Sequence, residues 1–439
     1  MPTAAPRPPL VTAVAMGYGH LRAAHALAEA LGTTVLHADA PPLADVEEQR
    51  LWSAARRLYE TTSRASQLPL AGPAVRRLLD AATRIPHLHP RRDLSPPDRP
   101  TRLLGRLIDR GLGAGLAREL AGGERSLVTT YFATALAADE LLPPDDPTAI
   151  FCVATDTDLA RAWVGRRPAR SRVQYLLPSR RARRRLRAYS VPPENLHFTG
   201  YPLPGELLGG PHLEALRRNL GARLVRLDPR GRFREDLGRE VEELFGPLPA
   251  AAGEPPTIAF VVGGAGAQAA TGKQLLRSLA GAIADRRLRL ALVAGVRREV
   301  ADSFERWIDE SGLAASRGDG VEVLIADDHE DYFRRFNGLL ATTDVLWTKP
   351  SELTFFGALG LPLVFTPPVG IQERYNRRWA FEHGAGIAQR EPRFAGEWLG
   401  EWLVDGTLAA AAWNGFLRLP KLGLERIVAH VAGEGGQGA

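Results

Sequence analysis

Residues 10–20 read LVTAVAMGYGH, and this stretch decides the fold of the first half of the chain. Leu10–Met16 is a short apolar run typical of a buried strand, and it leads into Gly17-Tyr18-Gly19. Apolar residues then recur at helical spacing, at Leu21, Ala24, Ala28 and Leu31. A strand, a glycine turn and a helix in that order predict a βαβ opening, with Thr34–His37 as its second strand.

The alternation of strand and helix continues along the chain and starts afresh in the second half. Further strands are predicted at Ser126–Thr130, Ala149–Ala154, Arg172–Leu177, Leu196–Thr199, Thr257–Val262, Arg289–Ala294, Val321–Ile325, Val345–Trp347 and Leu361–Thr366. Thr257–Val262 is again followed by glycines. Such an alternation forms parallel, doubly wound sheets, so the sequence predicts an α/β protein with two Rossmann-like domains.

The chain is predicted to divide into segments 1–202, 203–256, 257–392, 393–431 and 432–439. The first and third are the Rossmann-like domains. The second is charged, with Pro- and Gly-rich patches, and is interpreted as a linker with an inserted helix near Arg234–Leu244. The fourth is helical and expected to pack back towards the first domain, and the last is a Gly-rich tail predicted to be disordered.

Composition indicates a globular protein, because 45% of the 439 residues are hydrophobic and 24% are charged. The single cysteine, Cys152, excludes an internal disulfide and lies in an apolar run typical of a buried thiol. The N-terminus lacks the apolar region of a secretory signal, and no run approaches the roughly 20 apolar residues that span a bilayer. We therefore expect a cytoplasmic protein, at most peripheral to a membrane.

The net charge of +6 comes largely from arginine, and the densest run is Ser179–Arg187, SRRARRRLR. This run is predicted to be one helix with arginines on most faces. A solvated helix face is one interpretation, and a contact with an anionic membrane surface or nucleic acid is the other.

Two glycine turns carry candidate chemistry. His20 lies near a helix start, at the strand edge where α/β proteins bind ligands, and a histidine there can take a proton from a hydroxyl group. A capping or packing histidine is the alternative. The second turn, Gly263–Ala267, has backbone N–H groups suited to a diphosphate, and a tight structural turn is its alternative.

A third constellation follows at Trp347–Thr354, WTKPSELT, and at Pro367–Asn376, PPVGIQERYN. Pro350 is well placed to begin a helix. Glu352 either complements the dipole of that helix or binds the hydroxyls of a ribose. Gln372 and Asn376, one helical turn apart, share a face that suits the hydroxyls of a sugar.

In order and spacing these motifs resemble a group of GT-B glycosyltransferases. The group contains monogalactosyldiacylglycerol synthase, processive diacylglycerol glucosyltransferases and the N-acetylglucosaminyltransferase of peptidoglycan lipid assembly. Thr155–Trp163, TDTDLARAW, and Phe198–Pro202, FTGYP, also resemble segments of these enzymes. The resemblance implies two Rossmann-like domains facing across a cleft and transfer of a sugar, with inversion, to a lipid or small-molecule hydroxyl. It implies a nucleotide-sugar donor, UDP-linked in these enzymes, used as a substrate, with no further cofactor and no metal.

The resemblance also implies roles for individual residues. Catalysis falls to His20, with Asp156 or Asp158 as the reserve base. The donor side comprises Gly263, Gly264, Ala265, Gly266, Lys349, Ser351, Glu352, Gln372, Glu373 and Asn376. The acceptor side comprises Gly17, Tyr18, Gly19 and Tyr131.

The chain departs from the group at four sites. Ala160 and Tyr131 each stand where a histidine is common, and Ser351-Glu352 replaces a glycine pair. Gly357 falls where the ribose-binding glutamate is expected. Two alternatives therefore stay open, namely a protein that binds a sugar nucleotide without transfer and a sugar-nucleotide epimerase or hydrolase. Nucleic acid, through Arg180–Arg187, is not the expected partner.

Overall fold

The computed structural model describes residues 7–53, 85–250, 253–263 and 268–433. The chain forms two compact units. Unit 1 comprises Met1–Leu203, Val369–Tyr375 and Pro420–Ala439, and unit 2 comprises Pro204–Pro368 and Asn376–Leu419.

Unit 1 contains one parallel sheet. Its strands are β1 (Leu10–Ala13), β2 (Val35–His37), β3 (Leu127–Thr129), β4 (Ile150–Val153), β5 (Gln174–Leu177) and β6 (Leu196–Phe198). They lie in the order β2-β1-β3-β4-β5-β6. The order changes direction between β1 and β3, so the carboxyl ends of these two strands form a topological switch point, where α/β sheets bind ligands.

The strands of this sheet are connected by helices. They are α1 (Tyr18–Ala30), α2 (Arg99–Asp109), α3 (Ala114–Leu120), α4 (Phe132–Leu141) and α5 (Arg180–Ala188), and residues 46–53 are also helical. Glu48, which is buried, accepts hydrogen bonds from the N–H groups of Gly113 (2.7 Å) and Gly115 (3.2 Å). This carboxylate satisfies N–H groups at the start of α3 that the helix itself leaves unpaired.

Unit 2 contains a second parallel sheet. Its strands are β7 (Thr257–Val261), β8 (Arg289–Gly295), β9 (Val321–Ile325), β10 (Val345–Thr348), β11 (Leu363–Phe365) and β12 (Gly386–Ala388). They lie in the order β12-β11-β10-β7-β8-β9, which is the Rossmann order. The switch point of this sheet lies between β7 and β10.

The remaining helices are α6 (Gly205–Leu208), α7 (Glu214–Arg226), α8 (Arg232–Phe245), α9 (Ala269–Ala284), α10 (Arg298–Glu310), α11 (His329–Thr342), α12 (Ile371–Glu382), α13 (Ala395–Val404), α14 (Thr407–Arg418) and α15 (Gly423–Val431). Glu352–Leu359 forms a 3-10 helix after β10. The residues of α12 are divided between the two units, and α15 belongs to unit 1. No helix of the described ranges is long and apolar enough to cross a bilayer.

The helices that follow Leu203 are anchored in unit 2 by a buried arginine. Arg223 of α7 donates to the backbone oxygens of Thr343 (2.9 Å) and Leu359 (2.8 Å). Burial lowers the pKa of Arg223 to about 10. Asp344 also accepts an ion pair from Arg226 at 2.8 Å. The structure therefore places α7 among the elements that support the second sheet.

The predicted α/β architecture with two Rossmann-like sheets is confirmed. Every predicted strand is present, and the structure adds β12, a partly exposed strand of three residues with too little apolar pattern to predict. Cys152 is buried as expected, and burial raises the pKa of its thiol well above the ordinary value. Residues 434–439 of the predicted tail lie outside the described residues.

Candidate functional site

The first candidate site lies at the switch point of unit 1, where His20 follows β1 and Thr130 follows β3. Nδ1 of His20 is 2.6 Å from the backbone oxygen of Thr130. The Thr130 hydroxyl in turn donates to the backbone oxygen of His20 at 2.9 Å. Thr155, after β4, places its Oγ1 3.3 Å from the same ring nitrogen. Because β1, β3 and β4 are neighbours in the sheet, their carboxyl ends bring these three residues together.

The bond to Thr130 determines which nitrogen of neutral His20 carries the proton. A backbone carbonyl can only accept, so Nδ1 must be the protonated nitrogen. The lone pair of the neutral ring then lies on Nε2. A histidine that is oriented through Nδ1 and basic at Nε2 has the arrangement of a general base.

An aromatic group lies against this histidine. The ring of Tyr131 meets the ring of His20 edge-on, with centroids 5.0 Å apart. Trp52 and Phe132 lie 6.1 Å and 4.9 Å from Tyr131 in turn. Partly buried apolar side chains, Met16 among them, join Tyr131 in the same cluster. The structure thus brings Tyr131, predicted on the acceptor side, into contact with His20 on one side and with an apolar cluster on the other.

The glycine turn before His20 has a conformation that requires its first glycine. Gly17 precedes α1 with a φ of 111°, in a region that favours glycine. Tyr18 and Gly19 form the first residues of α1 and are half-buried. The predicted acceptor-side residues Gly17, Tyr18 and Gly19 therefore lie at the same sheet edge as His20.

The two candidate reserve bases differ in their surroundings. Asp158 is 1% exposed and forms a bidentate ion pair with Arg185, with distances of 2.8 and 2.9 Å. The charge of this carboxylate is balanced by Arg185 and the group is shielded from solvent, which favours a structural role for Asp158 over proton transfer. Asp156 is half-buried in the same segment after β4.

The second candidate site lies at the switch point of unit 2, where Gly263 follows β7 and Lys349 follows β10. The side chain of Lys349 lies directly against Gly263. A Cβ added to Gly263 would be 2.7 Å from Cε and 3.5 Å from Nζ of Lys349. The glycine therefore provides the space through which the lysine reaches the turn. A cation beside a glycine at this edge suits a phosphorylated ligand.

Gln268, the residue before α9, is held by two side-chain hydrogen bonds. The predicted donor residues Gly264, Ala265 and Gly266 lie outside the described residues. Gln268 has a φ of 74°, unusual for a residue with a side chain. Its Oε1 accepts from the Thr366 hydroxyl at 2.8 Å, and its Nε2 donates to the backbone oxygen of Pro367 at 3.2 Å. Gln268 thereby ties the start of α9 to the end of β11.

The segment after Lys349 is more enclosed than the sequence suggests. Ser351 precedes the 3-10 helix, and Glu352, its first residue, is only 8% exposed. A Cβ on Gly357 would lie 3.0–3.2 Å from carbons of Leu419, Ala385 and Leu363. Gly357 is thus packed in apolar surroundings that leave little space for a longer side chain.

The remaining donor-side predictions lie around α12. Asn376 is buried and donates to the backbone oxygen of Pro350 at 3.2 Å. Glu373 accepts from the N–H of Val369 at 2.7 Å and so closes the turn before the helix. Gln372 is half-buried. Gln372 and Glu373 belong to unit 1, whereas Asn376 belongs to unit 2 with Lys349.

Sequence reasoning missed Thr130, Thr155, Arg185 and Gln268. Thr130 acts through a backbone oxygen, and backbone atoms leave no trace in residue type. Arg185 stood inside a run of arginines in which nothing marked one as buried. Within the described residues, no group of three or more His, Cys, Asp or Glu side chains is placed to hold a metal ion.

Residues 250–394 match a family described as a domain of unknown function, DUF6938. No curated protein matches the chain. Similar solved structures include S. aureus MnaA with UDP, at 12% identity, covering 96% of this chain and 94% of that chain, with a TM-score of 0.48. Acinetobacter baumannii MurG has 13% identity over 97% of this chain and 100% of that chain, with a TM-score of 0.47. The glycosyltransferase SnogD from Streptomyces nogalater has 14% identity over 96% and 98%, with a TM-score of 0.41. The fold assignment rests on the strand order of the chain itself.

Proposed function

We propose that the chain is a metal-independent glycosyltransferase that moves a sugar from a nucleotide sugar to the hydroxyl of a lipid or apolar small molecule. The observation that carries the proposal is that both switch points hold suitable chemistry, an oriented histidine in unit 1 and a lysine over a glycine turn in unit 2. Fold alone would not support a function, because function depends on the residues of the site.

Unit 2 supplies the proposed donor site. The diphosphate of the donor binds at Gly263, where Lys349 neutralises part of its charge. As the bond between C1 of the sugar and the diphosphate oxygen breaks, that oxygen gains negative charge, and a fixed ammonium group stabilises it. Glu352 and Asn376 of this unit remain the proposed contacts to ribose and sugar. Gln372 and Glu373, which belong to unit 1, are proposed for the same role from the sequence alone.

Unit 1 supplies the proposed base. Nε2 of His20 takes the proton of the acceptor hydroxyl while the acceptor oxygen forms its bond to C1 of the sugar. The imidazolium that results keeps its hydrogen bond from Nδ1 to the Thr130 carbonyl, which favours the charged ring. Direct displacement of this kind inverts the configuration at C1.

The apolar surface around His20 supports an acceptor with an apolar portion. Tyr131, Met16 and Leu51 are partly buried members of one cluster beside the histidine. Burial of an apolar acceptor against such a surface is favourable by about 25 cal/mol per Å².

A second candidate function is binding of a sugar nucleotide without transfer. The observation that favours it is Gly357, whose apolar packing leaves no room for the glutamate that binds ribose in the enzymes the sequence resembles. An acceptor-independent reaction of the sugar nucleotide, such as epimerisation or hydrolysis, is the remaining alternative.

The proposal is tested first by binding. UDP, dTDP, UDP-N-acetylglucosamine, UDP-glucose and inorganic pyrophosphate are added to the protein and the thermal midpoint is followed. A ligand at 100 times its dissociation constant stabilises by about 2.7 kcal/mol. Lys349→Ala is expected to weaken the binding of the stabilising ligand about tenfold or more. Lys273→Ala is the matched control, because Lys273 lies in the same unit and pairs with Glu310 at 2.7 Å, outside the glycine turn.

The stabilising nucleotide sugar is then incubated with apolar alcohols and a lipid extract, and the products are identified by mass spectrometry. A glycosylated acceptor supports transfer. Binding with no product supports the second candidate, and a changed or hydrolysed donor without any acceptor supports the third. No binding of any nucleotide would exclude all three.

A further inference from the structure

The segment that follows β4 is held by three side chains, one from α5 and one from each of its two capping residues. Arg185 pairs with Asp158, the hydroxyl of Ser179 donates to the backbone oxygen of Thr157 at 2.6 Å, and the hydroxyl of Tyr189 donates to that of Leu159 at 3.0 Å. Ser179 and Tyr189 flank the two ends of α5. Residues 157–159 therefore bind to side chains spread from the start to the end of the arginine-rich helix.

The ion pair between Arg185 and Asp158 is the strongest of these contacts. Arg185 is 2% exposed, and Nε and both terminal nitrogens are used, two on Asp158 and one on the backbone oxygen of Pro86. A bidentate arginine–carboxylate pair fixes direction as well as distance. A buried pair of this kind is costly to desolvate, so it serves specificity of position better than stability.

The held segment begins at Thr155, whose Oγ1 is 3.3 Å from Nδ1 of His20. Thr155 is buried, and only two residues separate it from Asp158, so fixing Asp158 restricts the position of Thr155. A fixed Thr155 adds a second oxygen beside the nitrogen that already donates to Thr130. Both oxygens limit rotation of the imidazole ring.

We propose that Arg185 is a positioning residue for His20, which acts by holding segment 155–159 so that Thr155 stays against the ring. The structural part of this inference stands by itself, and its kinetic part rests on the proposed function. It assigns Arg185 to the interior of the protein, whereas Arg180, Arg183, Arg184 and Arg187 form the exposed face of the same helix.

The test uses the full chain labelled with ¹⁵N-histidine, so that NMR observes the His20 ring without any substrate. The His20 signals are assigned by their loss in His20→Asn. Thr155→Val is expected to shift the Nδ1–H signal and to speed its exchange with water. Thr155→Ser keeps the hydroxyl, so both quantities are expected to match those of the wild-type protein. Arg185→Lys keeps the charge and loses the bidentate geometry, so it should reproduce the effect of Thr155→Val.

Arg223→Lys is the matched control, because Arg223 is equally buried but lies in unit 2. It should destabilise the protein without changing the His20 signals. If Arg185→Lys does not fold, Tyr189→Phe is used instead. It removes only the hydrogen bond from the Tyr189 hydroxyl to the backbone oxygen of Leu159, and it is expected to shift the same signals. Unchanged His20 signals in the folded variants, or an equal change in Arg223→Lys, would overturn the proposal.

Turnover gives the second readout. Arg185→Lys and Thr155→Val are each expected to lower kcat about tenfold with little change in the KM of the donor. If Arg185 acts through Thr155, the double variant is no slower than the slower single variant. Multiplied effects would show that the residues act independently and would refute the proposal. Wild-type protein without any transfer activity would refute the proposed function, and the NMR result would still decide the role of Arg185.

Discussion

The two glycine turns of the molecule follow the same pattern of strand, glycine and helix, yet their glycines serve different purposes. Gly17 has a φ of 111°, and a Cβ added there would meet nothing within 4 Å. At Gly263 a Cβ would be 2.7 Å from the side chain of Lys349. The first glycine is needed for its backbone conformation, and the second for the space it leaves to a neighbour.

The difference extends to the chemistry at each turn. The turn in unit 1 leads to a histidine fixed by a backbone oxygen, which suits transfer of a proton. In unit 2, Gly263 meets the side chain of Lys349, which follows the adjacent strand β10 and suits binding of an anion. Each turn lies at the switch point of its own sheet. One architecture thus presents two kinds of chemistry, and variants at the two turns should fail in different ways.

The largest expected effect separates proton transfer from binding. His20→Ala is predicted to lower turnover by roughly 10²-fold, the usual contribution of a general base, because it removes the ring that the Thr130 carbonyl orients. The affinity for the nucleotide should not change, in contrast to Lys349→Ala. Initial rates and calorimetric titration with the nucleotide measure the two quantities. His25→Asn, on the same helix, is the control, and equal turnover in His20→Ala would reject the assignment.

The next effect concerns pH and lies in unit 1. His197 of β6 meets His430 of α15 with ring centroids 4.4 Å apart. Burial, followed by the nearby His430 and Arg183, lowers the pKa of His197 to about 4. Between the unfolded value near 6.5 and about 4, the unfolded chain binds a proton that the folded chain does not. The contribution of His197 to stability is therefore fully present above pH 6.5 and is lost as the pH falls towards 4; because the ring is partly exposed, the loss is about 2 kcal/mol, less than the full shift would give.

Urea unfolding between pH 4 and pH 8 measures this slope. His197→Gln removes the titrating ring and should flatten the curve in that window. A variant with an unchanged slope would show that other groups cause the loss of stability at low pH.

The sequence predicted the fold well because the signal for buried parallel strands is local. Apolar runs such as Thr257–Val262 appear in the structure within one residue of their predicted ends. β12 escaped prediction since three partly exposed residues carry no such pattern.

The candidate site was predicted only where residue type itself carries the chemistry. His20 and Lys349 could be selected by type and by their place after a strand. Thr130 could not, because it contributes a backbone oxygen, and the partner of Asp158 could not, because any of several arginines in Ser179–Arg187 would have served. Pairing across distant segments depends on tertiary packing, which a single sequence does not display.

A smaller effect tests the space at the second turn. Gly263→Ala is predicted to displace the Lys349 side chain, since the added Cβ would lie 2.7 Å from Cε of Lys349. The affinity for UDP is then expected to fall about tenfold. The double variant with Lys349→Ala should bind no more weakly than Lys349→Ala alone, because the methyl group then has nothing to displace. Titration calorimetry gives both constants. Additive losses would mean that Gly263 matters for its own backbone, as Gly17 does.

The smallest effect tests the conformation at the first turn. Gly17→Ala meets no steric barrier but must hold a φ of 111°, so it is predicted to destabilise unit 1 by about 1 kcal/mol. Gly281→Ala is the matched control, because Gly281 also has open space around it but lies inside α9 with an ordinary helical backbone. There alanine should stabilise, by about 0.5–1 kcal/mol, through its higher helix propensity. Urea unfolding of the two variants should therefore give changes of opposite sign. A stabilised Gly17→Ala would show that the turn adopts another conformation in solution, and the contrast between the two glycines would then disappear.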